Sequence, residues 1–184
     1  MIPTEFRPFG KIARLNRECV VTEKIDGTNA LVAVSDDGTA IRAGSRTRWI
    51  TPESDNHGFA AWVERNTEEL LKLGPGYHYG EWWGSGIQRG YGLTKGEKRF
   101  SLFNVARWSD PAVRPTCCGV VPTLIVGSDI RQVADIGIAM LRENGSYAAP
   151  GFKTPEGIVI YHTHGGHLYK VTLEKDESPK GMKP

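Results

Sequence analysis

The chain has 184 residues, 39% hydrophobic and 24% charged, which is enough apolar material for one core and too much for an intrinsically disordered segment. A formal charge of +2 marks neither a strongly basic nor an acidic protein, so contact with polyanions would have to come from a local basic face. Three cysteines without a C-x-x-C pair exclude a disulfide framework and fit free thiols in a reducing compartment. Residues 1–17 carry no apolar signal region, and no apolar run approaches the roughly 20 residues that span a bilayer. The expectation is a cytoplasmic monomer that does not engage a membrane.

In chain order, Cys19–Lys24 (CVVTEK) and Thr28–Val34 (TNALVAV) read as short strands from their Val and Thr content. Asp36-Asp37-Gly38 is a hairpin signal, with 39–43 as the returning strand. Phe59, Trp62, Val63, Leu70 and Leu73 recur at near-helical spacing and predict an amphipathic helix over 58–72, stopped by Gly74-Pro75-Gly76. Residues 77–83 and 100–108 read as strands on either side of a Gly-rich, basic loop at 84–99. A second helix is expected to start at Ser128 or Asp129, since either side chain can cap the free N–H groups. Its inner side carries Ile130, Val133, Ala134, Gly137, Met140 and Leu141, and Gly145 closes it. Two last strands, 157–162 and 167–173, are joined by Gly165-Gly166, and the charged residues 176–184 form a tail. The sum is an α+β domain: antiparallel β-sheets with flanking helices.

Glu23-Lys24-Ile25-Asp26-Gly27-Thr28-Asn29 is the first chemically informative segment. A lysine closing an apolar strand can become a nucleophile, because desolvation or a neighbouring cation lowers its pKa. By itself, an Asp-Gly turn between charged residues is a common hairpin. Its companions change that reading. Ser45-Arg46, Gly80-Glu81 within GEWWGSGIQRGYG, FSLFNV at 100–105, Glu156-Gly157-Ile158-Val159 and Tyr169-Lys170-Val171 follow in order. KIDGTN resembles motif I of the covalent nucleotidyltransferases (DNA ligases, RNA ligases and mRNA-capping enzymes), and the others resemble motifs Ia, III, IIIa, IV and V. Asn29 fills a slot that is usually Arg in DNA ligases and capping enzymes. With Gly84-Ser85-Gly86-Ile87-Gln88, it makes the chain similar to the RNA ligases of the T4 second RNA ligase group.

The resemblance implies a nucleotidyltransferase (ATP-grasp-like ligase) domain over 1–175, with a nucleotide cleft between sheets. It implies an ATP-dependent RNA ligase that forms a lysyl-AMP and joins 5′-phosphate and 3′-hydroxyl ends, with ATP and Mg²⁺ (or Mn²⁺) as cofactors. RNA is the implied partner, DNA ends being the alternative. Small DNA ligases, capping-type guanylyltransferases and non-catalytic nucleotide- or nucleic-acid-binding relatives share these motifs and remain competing readings.

Lys24 is the implied nucleophile, Lys170 the α-phosphate contact and Glu156 the metal-associated carboxylate. Glu23, Asn29, Arg46, Glu81, Phe103 and Ile158 are expected around the nucleotide. Of these, Glu81 and Asn29 would meet the ribose, and Phe103 would stack on adenine with Ile158 or Val159 across from it. Arg46, Arg89, Lys95, Lys98 and Arg99 are expected on the nucleic acid, where cations supply the sequence-independent part of affinity. Two positions depart from the family pattern: Thr172 stands for the second lysine of motif V, and Asn104 for an aspartate. His162, His164 and His167 read as an exposed hairpin rather than a zinc site, for want of a fourth ligand.

Overall fold

The structure, a computed structural model, describes residues 4–174, so Lys175 and the tail expected at 176–184 lie outside the described residues. β-Branched and aromatic runs separated by Gly- and Asp-rich turns form two sheets. The first has strand order β7-β1-β8-β9, with β1 Cys19–Lys24, β7 Thr123–Gly127, β8 Gly157–His162 and β9 His167–Thr172. The second has order β3-β2-β4-β5-β6, with β2 Thr28–Val34, β3 Ile41–Ser45, β4 Gly76–Gly84, β5 Lys98–Leu102 and β6 Cys118–Val120. All neighbours are antiparallel except β5 and β6, which run parallel.

Each sheet buries one face under helix. Cys19, Val21, Ile158 and Ile160 of the first sheet pack on Val133, Ile138 and Leu141 of helix α4, Ile130–Asn144. Ala30, Val32, Trp82, Phe100 and Leu102 of the second pack on Phe59 and Val63 of α1 (Phe59–Arg65) and Leu70 of α2 (Thr67–Leu71). Because side chains alternate across a strand, the intervening residues of both sheets point the other way, towards each other. The sheets join where β1 passes into β2. There Ile25 is buried with Trp83, Tyr91, Val121 and Ala149, a small core that acts as the back wall of a cleft. No helix among the described residues is long and apolar enough to cross a membrane.

The structure differs from the sequence expectations at several places. The returning strand is displaced to Ile41–Ser45, because Thr39 and Ala40 are spent closing the turn through the Ser35 hydroxyl. The helix expected over 58–72 breaks at Asn66, whose backbone leaves helical geometry (φ −113, ψ 18). The strand expected over 100–108 ends at Leu102, and Val105–Trp108 forms the short helix α3. Asn104 starts that helix by accepting the Arg107 N–H at 3.1 Å, the ordinary capping role of an Asn side chain. At α4 it is Asp129 that caps, accepting from Arg131 and Gln132. Strands β6 and β7 were not anticipated; three residues give no period, and β7 is the edge strand beside β1.

Candidate active site

Register along β1 and β8 builds the centre of the site. Lys24, the last residue of β1, lies opposite Gly157, so the residue just before β8, Glu156, is beside it. The Lys24 Nζ is 2.5 Å from Glu156 Oε2, with the two side chains 25% and 16% exposed. Thr22 pairs with Val159 and Val159 with Lys170, which places Thr22, Lys24, Val159 and Lys170 on the inner face of the first sheet. Lys170 is exposed and, among the described residues, makes no ion pair. The inner face thus presents two cations and one carboxylate within a partly desolvated cleft.

The second sheet supplies the opposite wall. Asn29 lies opposite Glu81, and its side-chain amide donates to Glu81 Oε2 at 3.3 Å while the Gly27 N–H donates to Oε1 at 3.0 Å. Gly27 is required there: a Cβ would stand 2.4 Å from the Trp82 carbonyl oxygen. Burial pushes the Glu81 carboxyl up to about 7, against the Gly27 N–H, the charge of Lys24 and the Asn29 amide. A carboxyl poised there is exchangeable between hydrogen-bond acceptor and donor near neutral pH.

The turn between these walls is clamped from outside. Arg89 Nε donates to Asp26 Oδ2 at 3.0 Å, and its Nη1 donates to the Thr154 carbonyl at 3.0 Å. The Tyr91 hydroxyl accepts the Asp26 N–H at 2.9 Å and donates to the Lys24 carbonyl at 3.4 Å. Tyr91 is buried and adopts the left-handed region (φ 51). Asp26 and Tyr91 were not among the expected site residues. Tyr91 carried only a weak signal, an aromatic in a Gly-rich loop far along the chain from the turn it holds.

The remaining expected residues divide. Glu23 points to the α4 side, 1% exposed, where its carboxylate accepts from Ser146 Oγ (2.6 Å), Tyr147 N (2.8 Å) and Ala148 N (2.9 Å). Burial raises its pKa and these three bonds lower it. A nucleotide in the cleft would therefore meet only its backbone. Ile158 is fully buried in the α4 layer, against Gly137. Strand parity puts Val159, not Ile158, on the cleft side, which corrects the expected placement of Ile158 against adenine.

Phe103 is 39% exposed and continues the β5 ladder by donating its N–H to the Tyr79 carbonyl. Arg46 is exposed one residue beyond the Ala30–Ser45 pair, at the end of β3 that adjoins Asn29. The four cations of the loop do not form one face. Arg89 is committed to Asp26 and Lys95 is exposed at a turn with φ 54. Lys98 reaches towards Gly58 at the start of α1. Arg99 lies over the Trp83 ring and pairs with Glu97 at 2.6 Å. His162 is buried, hydrogen-bonded to the Leu15 carbonyl and the Gly165 N–H. Among the described residues no cluster of three His, Cys, Asp or Glu could hold a metal alone. A Mg²⁺-type site needs less, since that ion takes most of its shell from water and phosphate oxygens and only one or two from carboxylates. Glu156 fits that requirement.

Two helix-backed sheets thus bring a Lys24–Glu156 pair, a second lysine and the Asn29–Glu81 hydrogen-bonding pair together where β1 passes into β2. A sequence profile of the RNA ligase family matches residues 17–172, and the chain belongs to that family. Among solved structures, it is similar to Naegleria gruberi RNA ligase with pyrophosphate (23% identity, TM-score 0.63, covering 89% of this chain and 53% of that one). It is also similar to two variants of that enzyme with ATP and manganese. One has 21% identity and a TM-score of 0.59, covering 87% of this chain and 51% of that one. The other has 24% identity and a TM-score of 0.59, covering 89% and 52%. At these identities the likeness establishes the mixed α+β fold. The chain spans about half the length of these solved relatives. No curated protein matches it.

Proposed function

We propose that this chain is the adenylyltransferase domain, over 1–175, of an ATP-dependent RNA ligase with the covalent nucleotidyltransferase fold. The observation that carries the reading is the Lys24–Glu156 pair at 2.5 Å in the cleft. A lysine attacks phosphorus only as the free amine, so Nζ gives its proton up to solvent as it leaves Glu156, and the Glu156 carboxylate stays ionised to hold the metal. The amine then attacks the α-phosphorus of ATP, the bond to the β-phosphate oxygen breaks, and pyrophosphate leaves with the electron pair. Lys170 faces the equatorial oxygens, where positive charge is worth most. A Mg²⁺ or Mn²⁺ held by Glu156 would neutralise charge on the phosphates.

Asn29 and Glu81 take the ribose hydroxyls, and Phe103 with Val159 offers apolar surface to the adenine. A 5′-phosphate oxygen of RNA then attacks the lysyl-AMP phosphorus and the N–P bond breaks. The 3′-hydroxyl attacks the activated 5′-phosphate, and AMP departs. Thr28-Asn29 at the end of motif I supports RNA ends over DNA ends. All the residues given these roles lie within the family match, residues 17–172.

Intact-protein mass spectrometry after incubation with ATP or GTP and Mg²⁺ or Mn²⁺ tests this. We expect one AMP on the wild-type chain, no GMP, and no adduct on Lys24→Ala. An adduct on Lys24→Ala, or none on wild type even after stripping with pyrophosphate, would overturn the assignment.

A further inference from the structure

Strand parity leaves a broad part of the second sheet's inner face beyond the ribose wall. Tyr77, Tyr79 and Glu81 alternate on β4 and share that face, while His78, Gly80 and Trp82 turn to the helix side. Leu31 lies opposite Tyr79 and Ala33 opposite Tyr77, and Arg42 is the next partner of Ala33. A Cβ at Gly44 would touch both Leu31 and Trp49, so Trp49 folds over Gly44 onto the same face, where it carries the Arg42 guanidinium 4.5 Å from its ring centre. Phe103 adjoins Tyr79 through the ladder.

The exposure of this patch is unusual for its composition. Tyr77 is 65% exposed, Tyr79 55%, Phe103 39% and Trp49 38%. The buried aromatics pack against other rings, as Phe59 does on Trp62 and Tyr91 on Phe152. Among the described residues none of the four exposed rings has a ring partner, and neither tyrosine hydroxyl has a hydrogen bond. By register, Glu81 is the only acidic side chain of the described strands on this face; Arg46 follows β3 at the Asn29 end, and Arg42 stands opposite Ala33 at the Tyr77 end. Open rings beside arginine, with Glu81 as the one carboxylate at the end of the row, match the π-faces and the charge of an unpaired polynucleotide. Positions i and i+2 of a strand are about 6.7 Å apart, and antiparallel sheets with exposed aromatics so spaced receive successive unstacked bases of single-stranded RNA.

We propose that this face is a stacking platform for single-stranded RNA, Tyr79 and Tyr77 taking successive unpaired bases of a strand whose end reaches Lys24. The inference rests on the RNA ligase reading and adds to it how the strand is held. Base–aromatic stacking is tolerant of sequence, so the platform selects for single-strandedness rather than for particular bases.

The test is equilibrium binding of a short fluorescein-labelled single-stranded oligouridylate, without ATP, by fluorescence anisotropy. Tyr77→Ala/Tyr79→Ala is expected to weaken binding at least about tenfold, and Tyr77→Phe/Tyr79→Phe to stay within about twofold of wild type, because stacking and not the hydroxyl carries the contact. Lysyl-AMP formation on the variants, read by mass, is expected to match wild type. Equal binding by the alanine pair, no binding by wild type, or a loss in the phenylalanine pair as large as in the alanine pair would overturn the platform. Failure of the ligase reading would appear separately, as absence of the AMP adduct on wild type.

Discussion

Glu81 is where single-residue chemistry is most exposed to measurement. Its folded carboxyl is raised from 4.5 to about 7, mainly by burial. The folded chain therefore holds this proton more tightly than the unfolded chain. Stability contributed by the group is present below pH 4.5 and falls as pH rises to about 7, by at most about 3 kcal/mol. Glu23, also raised by burial, acts with the same sign. In Glu81→Gln the fall attributable to Glu81 disappears. Denaturant unfolding between pH 4.5 and 7.5 should show wild-type stability declining relative to Glu81→Gln; parallel curves for the two would show that Glu81 is not titrating in that window.

At the scale of elements, the fold of the site depends on loop 84–99 gripping the turn between β1 and β2. Tyr91 supplies two of those bonds from a buried position. Tyr91→Phe leaves the Asp26 N–H without its acceptor, and an unsatisfied buried donor costs about 1–3 kcal/mol. The expected result is a lower unfolding midpoint with slower lysyl-AMP formation, since the Lys24 carbonyl loses its contact as well; unchanged stability would mean that water replaces the hydroxyl.

The turn and its grip also mark how far the sequence could be read. β1, β2 and α4 were legible because their β-branched content or 3.6-residue period was long enough to register. The order of Lys24, Glu81, Glu156 and Lys170 was legible through family resemblance alone. The inward side of β8 was not, because Gly157-Ile158-Val159-Ile160 is apolar throughout and offers no alternation to separate the core side from the cleft side. The directions of Arg89, Lys95, Lys98 and Arg99 were not legible either. In a loop, sequence spacing carries no facing information, and these four side chains end on Asp26, solvent, the start of α1 and Trp83.

For the molecule as a whole, dispersal of that loop's cations fixes what electrostatics can contribute. The chain carries only +2, and the cations placed at the cleft and its open wall, apart from the nucleophile and from Arg99, whose charge is paired with Glu97, are Lys170, Arg46 and Arg42. Neutralising about three phosphates of a single strand gives a slope of log binding constant against log salt near −2, since each contact releases about 0.7 of a counterion. Stacking on Tyr77 and Tyr79 contributes no such slope. Anisotropy titrations of single-stranded RNA across a series of KCl concentrations should therefore give this shallow dependence in wild type. Tyr77→Ala/Tyr79→Ala should lower affinity at every salt concentration without changing the slope. A slope steeper than about −4 would require roughly six phosphate contacts, and hence a basic face reassembled from the 84–99 loop when RNA binds.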